Sequence, residues 1–167
     1  SGLGYHKINM NKWLVASYKL NEVARLELNL QNQSFDYYLP KIVLKKLNSN
    51  HKEELMFPGY IFINTDPANY AALKYTKGIK NILKFGKSIP TMSKDDIEGI
   101  MKIECESKNN PISTKYIIGK EVVIKGGSLK GNLVKICSLP SAKRVNILIH
   151  LLGSKRQVNI SIEDLSI

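Results

Sequence analysis

An α+β domain followed by a small closed β-barrel is the architecture this sequence predicts, and three observations carry it. Up to residue 106, strand-like apolar runs alternate with segments whose apolar residues recur at helical spacing. From residue 107 to 115 the composition turns to Ser, Lys, Asn, Pro and Thr, which reads as a linker. Beyond it the apolar period becomes two, as expected of half-buried strands.

The first run, WLVASY (residues 13–18), has the length and composition of a strand. Asn21 is the expected cap of a helix whose Val23, Leu26 and Leu30 share one face. FDYYLP and KIVLKKL read as extended segments, with Pro40 holding Leu39 out of helical conformation. Residues 48–54 read as a polar loop or hairpin tip, and Pro58-Gly59 breaks the chain before the strand YIFI. Asp66 and Pro67 predict a helix start by cap and first-turn preference, with Tyr70 and Leu73 in that helix and its end near Gly78. NILKF is the next strand. Ser93 with Asp96 forms a capping box for a last helix lined by Ile97, Ile100 and Met101. The order β-α-β-β-α-β-α packs naturally as an antiparallel sheet flanked by helices.

Past the linker, EVVIK, NLVKICSL, RVNILIHLL and RQVNISI are four strand-like runs separated by Gly-Gly-Ser, Leu-Pro-Ser and Gly-Ser-Lys. Val145, Ile147, Ile149 and Leu151 alternate with Asn146, Leu148, His150 and Leu152. Short strands without a covering helix bury a core only by closing on themselves, hence the barrel over residues 116–167.

Charge narrows the partners. Lys and Arg number 25 against 14 Asp and Glu, a formal +11. Up to Asn110 there are 16 basic and 11 acidic residues, and beyond it 9 and 3. Such an excess favours polyanions, because each cation placed near a phosphate releases a counterion; simple solubility is the competing reading. Cys105 and Cys137 stand far apart in no metal-ligand spacing, which suits a reducing cytoplasm. No apolar run approaches the ~18 residues of a membrane span, so a cytoplasmic monomer with no membrane partner is expected. Residues 1–9 read as a cloning remnant before Met10 as the natural start.

The residues that could carry catalysis are scattered. His6, His51 and His150 are isolated, and Glu53-Glu54 and Asp95-Asp96 are adjacent pairs that point differently. Gly126 and Gly131 have P-loop spacing, yet Asn132 stands where the lysine is needed and the segment joins two strands. No enzyme, cofactor or metal is therefore expected.

Three segments together carry a family resemblance: WLVASYKLNEVARLELNLQNQSFDYYLP, then MFPGYIFI followed after a helix by Gly78-Ile79 and LKFG, then GKEVVIKGGSLKGNLVKI. In this order they resemble the NusG/RfaH family of transcription elongation factors, whose N-terminal domain is followed by a linker and an SH3-like KOW β-barrel. The resemblance spans residues 10–167, dividing as 10–106, a linker at 107–115, and a KOW domain at 116–167. It is closer to the specialised RfaH-type branch, which residues 13–40 match without a gap. The segment from Asp66 to Gly78 departs by being two residues shorter, and Gly153 departs towards NusG.

The resemblance implies a non-enzymatic elongation and antitermination factor that binds the RNA polymerase β′ clamp and β subunit, suppresses pausing and couples to a partner such as the ribosome. Tyr60, Phe62 and Phe85 match the aromatic patch that grips the clamp, with Tyr70 and Leu73 in the nearby polymerase-contacting segment. Period two places Tyr60 and Phe62 on one sheet face, opposite Ile61 and Ile63. Lys19, Arg25, Asn29, Asn32 and Gln33 match the surface that reads the non-template DNA strand, where Asn29 and Asn32 replace a bulkier His and Arg. Leu151, Leu152, Gly153, Lys155 and Arg156 fall where the barrel docks ribosomal protein S10, or Rho in general NusG. A general factor acting with Rho, and a ribosome-associated RNA-binding KOW protein, are the alternatives. The RfaH-type branch can also hold its C-terminal domain as an α-helical hairpin. Here β-branched residues at 145, 147, 149, 158, 160 and 162, with Gly153, favour the barrel.

Overall fold

The computed structural model describes residues 12–46, 50–114, 121–125, 129–153 and 157–161. In chain order they form β1 (Lys12–Tyr18), α1 (Val23–Asn32), β2 (Asp36–Tyr38), β3 (Lys41–Lys45), β4 (His51–Leu55) and β5 (Tyr60–Asn64). Next come α2 (Tyr70–Lys74), β6 (Ile79–Ile82), β7 (Met92–Ser93), α3 (Lys94–Asn109) and β8 (Ile112–Ser113). The chain continues through β9 (Glu121–Lys125), α4 (Leu133–Cys137), α5 (Ser141–Leu152) and β10 (Gln157–Ser161). The expected remnant and start at residues 1–10, the Gly126 turn and the linker end at Lys115 lie outside the described residues. Two compact units result, residues 1–39 with 59–94, and residues 40–58 with 95–167.

The first unit is built on a sheet of order β2-β5-β1-β6, with β7 also paired to β1. Strand β1 runs antiparallel to β5, setting Leu14 opposite Ile63 and Ala16 opposite Ile61. Side chains alternate across a strand, so Leu14, Ala16, Tyr18, Ile61 and Ile63 all face one side. Leu26 and Leu30 of α1, four residues apart on one helical face, close over them together with Leu73 and Ile82. Each fully buried aliphatic side chain contributes about 1.5–3 kcal/mol here. The helix expected after Asn21 begins differently: Leu20–Glu22 form a 3₁₀ turn, and neither the Lys19 nor the Glu22 side chain caps the helical segment that follows it. Asp66 does cap its segment, accepting a hydrogen bond from the Ala68 N–H at 2.8 Å.

The second unit holds a smaller sheet, β4-β3-β8, in which β8 runs parallel to β3. Residues 51–54, expected in a polar loop, form most of β4, because the hairpin pairs Lys45 with His51 and Lys41 with Leu55. Helix α3 is tied to β3 by polar bonds: the Val43 N–H donates to Ser107 Oγ at 3.0 Å, and the Lys41 N–H to Glu104 Oε1 at 3.1 Å. Ser107 is buried there, so residues 107–109 complete a helix and Ile112–Ser113 add a strand where a free linker was expected. Ile97 and Ile100 are buried as expected, whereas Met101 is exposed.

The expected barrel is corrected by the C-terminal residues. EVVIK and QVNIS do pair as antiparallel strands β9 and β10. The two runs between them, NLVKICSL and RVNILIHLL, are instead largely helical, as α4 and α5. In α5 the buried residues are Arg144, Ile147 and Leu148, with Leu151 half-buried, a spacing of three and four that makes one helical face. The overlapping set Val145, Ile147, Ile149 and Leu151 has a period of two in the same stretch, so local pattern did not discriminate. Gly99 of α3 admits this arrangement: a Cβ there would sit 3.0 Å from Lys130 Cγ and 3.3 Å from Leu133 Cδ1. Among the described residues, no helix is long and apolar enough to cross a membrane.

Candidate functional site

Strand β5 sorts its side chains as the alternation predicts: Ile61 and Ile63 enter the first unit's core, and Tyr60 and Phe62 take the other face. Tyr60 is half-buried, while Phe62 is fully buried, its ring centroid 6.4 Å from that of Tyr38. Phe85 is 39% exposed. It stands at a tight turn closed by reciprocal backbone bonds between Phe85 and Ser88, 2.7 and 2.9 Å long, around Gly86 at φ 61°. Tyr70 is half-buried at the rim of the core. Leu73, expected in the polymerase-contacting segment, is instead a core residue with no exposed surface. Helix α2 is only five residues long, and Leu73 is the single residue it buries.

Of the residues on and before α1, Lys19, Arg25, Asn32 and Gln33 are exposed and Asn29 is half-buried. Two of them make hydrogen bonds within the fold. Gln33 Nε2 donates to Thr76 Oγ1 at 2.9 Å and to the Asn29 carbonyl at 3.3 Å, which uses both of its N–H groups. Asn29 Nδ2 donates to the Lys77 carbonyl at 3.2 Å. Together they fasten the turn after α2 to the end of α1. Gly78 completes the junction: its φ is 101°, and a Cβ would approach Leu26 Cβ to 2.8 Å, so only glycine fits. These bonds occupy the amide N–H groups that the expected base-reading role of Asn29 and Gln33 would use. Arg25 lies 3.8 Å from Glu22, an exposed pair.

Leu151, Leu152 and Gly153 were expected at a strand end. They occupy the C-terminal turn of α5 and its cap, half-buried, with the Gly153 N–H bonded to the Ile149 carbonyl at 3.0 Å. A helix end offers no strand edge, so docking by strand addition is not available at these residues in this conformation. Lys155 and Arg156 lie outside the described residues.

Two features escaped the sequence reading. Arg144 is 1% exposed and spends its guanidinium on four acceptors: the carbonyls of Met56 (2.7 Å), Leu139 (2.7 Å) and Leu55 (3.2 Å), and Glu54 Oε2 at 3.0 Å. A signal existed: Arg25, Arg144 and Arg156 are the only arginines among 25 basic residues. The planar fork of arginine is what a buried multi-acceptor site requires. The second feature is a row of rings and ammonium groups, in which Lys74 Nζ lies 5.8 Å from the Tyr75 ring and 5.9 Å from the Tyr70 ring, and Lys84 Nζ 5.1 Å from Tyr70. Cys137, read as a core residue, is buried, and burial pushes its thiol up to about 12 despite the opposing Arg144 charge.

A family model described as "Transcription termination factor nusG" matches residues 11–101. Among solved structures, one titled "Domain interaction in Thermotoga maritima NusG" aligns with a TM-score of 0.41 at 13% identity, covering 70% of this chain and 73% of that one.

Proposed function

The chain belongs to the NusG family of transcription factors, and from that premise we propose that it is an elongation and antitermination factor of the RfaH type, gripping the RNA polymerase clamp through its first unit. The observation that carries this reading is the division of labour on β5. Ile61 and Ile63 secure the core, which leaves Tyr60 and Phe62 on a second aromatic face, and Phe85 is exposed. Aromatic side chains bury large area at small entropic cost, which suits them to anchor an interface. Phe62 is covered in this conformation, so clamp binding requires its face to open first. The factor acts by binding one state of the polymerase better than another, without covalent chemistry.

The non-template DNA strand runs along α1, where Lys19, ahead of its first turn, attracts phosphates and Asn32, its last residue, offers an amide to a base edge. Coupling to ribosomal protein S10, or to Rho, belongs to an all-β form of residues 116–167, because only that form presents a strand edge near Leu152. Pull-down of purified core RNA polymerase against purified ribosomes, at moderate salt, tests the reading. Retention of polymerase but not ribosomes by the full chain is the expected result. Capture of ribosomes alone rejects it in favour of a ribosome-associated RNA-binding protein.

A further inference from the structure

The chain leaves β6 and returns within a few residues, and both feet of this excursion are fixed to the first unit. Before it, Ile82 is buried and paired with Ala16 of β1, and the Leu83 N–H donates to the Val15 carbonyl at 2.7 Å. After it, Ile89 packs against the core. Between the feet, the turn from Phe85 to Ser88 closes on its own two backbone bonds. Gly86, at φ 61°, supplies the positive φ that a two-residue hairpin turn requires at its first central position. A Cβ there would meet nothing within 4 Å, so the apex stands clear of the fold. Residues 84–88 are all exposed. The result is one aromatic ring, Phe85, with a lysine on either side of it in sequence, on a turn tied down at both ends. Lys84 is held further by the Tyr70 ring, 5.1 Å from its Nζ. Neither Lys84 nor Lys87 pairs with a carboxylate among the described residues. The surrounding sequence adds to the charge, with six lysines and no acidic residue from 67 to 94.

We propose that Lys84 and Lys87 are specificity-determining residues of the polymerase contact, pairing with carboxylates of the partner protein on either side of the site that takes Phe85. The inference rests on the assignment of Phe85 to the clamp contact and adds the charge of the face it meets. An aromatic anchor contributes affinity by excluding water and is indifferent to the charge around its site. Cations at the rim supply what it lacks: they speed encounter with an acidic face and oppose docking on a basic one. Because the turn is preorganised, little side-chain or loop ordering is left to be lost on binding. Phosphates would also satisfy two lysines. Carboxylates are favoured because Tyr60, Ser17 and Asn81 stand in one row across β5, β1 and β6, so the strand feeding the turn lies two strands from the aromatic face already read as a protein contact.

Surface plasmon resonance of the full chain on immobilised core RNA polymerase, free of nucleic acid and run over a salt series, tests the proposal. Lys84→Ala/Lys87→Ala is expected to slow association about tenfold at low salt and to flatten its salt dependence, with the dissociation rate almost unchanged. Lys84→Arg/Lys87→Arg should restore the parental rate, and Lys84→Glu/Lys87→Glu should slow association further. Phe85→Ala should act in the opposite way, raising the dissociation rate. Both lysines are exposed, so an unchanged melting temperature checks that the variants are folded. Parental association and salt dependence in the double alanine variant overturn the proposal. An effect that appears only when DNA or RNA is added overturns it in favour of phosphate contacts. If Phe85→Ala alone weakens binding, the carboxylate pairing is rejected and the clamp reading stands. If neither variant differs from the parent, or the parent does not bind, the assignment of Phe85 falls as well.

Discussion

Arg144 of α5 and Glu54 of β4, 90 residues apart in sequence, meet in an ion pair of 3.0 Å whose cation is buried and whose anion reaches solvent. The asymmetry matters. Glu54 also has Lys46 at 3.8 Å and a partly exposed carboxylate, whereas Arg144 is buried and depends on the protein for its acceptors. Three of its four bonds go to backbone carbonyls, two of them on the hairpin side at Leu55 and Met56.

Arg144→Ala is therefore expected to cost about 3–5 kcal/mol and to reduce helix content, since it removes the donor from three backbone carbonyls at once. Glu54→Gln should cost less than half as much, because the three carbonyl bonds remain. Urea denaturation of both variants followed by circular dichroism measures the two costs. Equal destabilisation would show that the ion pair, rather than the carbonyl cage, holds the helix.

Residues 116–167 on their own are expected to lose helix. The fragment lacks Glu54, Leu55 and Met56, and its β-branched residues at 145, 147 and 149 disfavour helix locally. Circular dichroism of the full chain should exceed the summed helix of that fragment and of residues 10–106. A fragment as helical as α4 and α5 predict would mean that local sequence suffices.

Gln33→Ala and Lys19→Ala should separate stability from binding. The first removes two hydrogen bonds at the junction of α1 with Thr76 and costs about 1–2 kcal/mol of stability. The second leaves the melting temperature in place, weakens all DNA sequences alike and flattens the salt dependence. Calorimetry and anisotropy read the two effects. A Gln33 variant with parental stability would return its amide to the role of base reader.

Tyr60→Ala with Phe85→Ala tests the polymerase patch better than any change at Phe62, whose truncation costs about 3–5 kcal/mol of folding by itself. Each aromatic should account for about 2 kcal/mol of clamp binding if it is an anchor. Surface plasmon resonance on core polymerase gives the value, and a folded double variant with parental affinity removes both residues from the interface.

Cys105 is exposed and Cys137 buried, so one thiol should react with Ellman's reagent in the native protein at neutral pH and the second only on unfolding. The pH dependence has a defined sign. The Cys137 thiol is held protonated up to about 12, against an ordinary 9.0, so its contribution to stability is complete below pH 9 and is lost as the pH rises towards 12. Rapid labelling of both thiols in the folded chain would contradict the burial.

Legible in the sequence alone were the succession of the main strands and helices of the first unit, the opposite faces of Tyr60 and Phe62 and of Ile61 and Ile63, and the cap at Asp66. These follow from period and turn chemistry, which act within a few residues and leave one reading. The family could also be reached, because FPGYIF and the glycine-spaced C-terminal segment are sequence patterns in themselves. Tertiary structure alone decided the state of residues 133–152. There the apolar residues satisfy periods of two and of about 3.6 at once, and propensity leans towards strand. The helix is selected by contacts that no local window contains: four acceptors converging on Arg144, three of them from Glu54, Leu55 and Met56. The same holds for the amides of Asn29 and Gln33. Their chemistry suits a base edge or a backbone turn equally, and only the packing of Gly78 against Leu26 brings the turn within their reach.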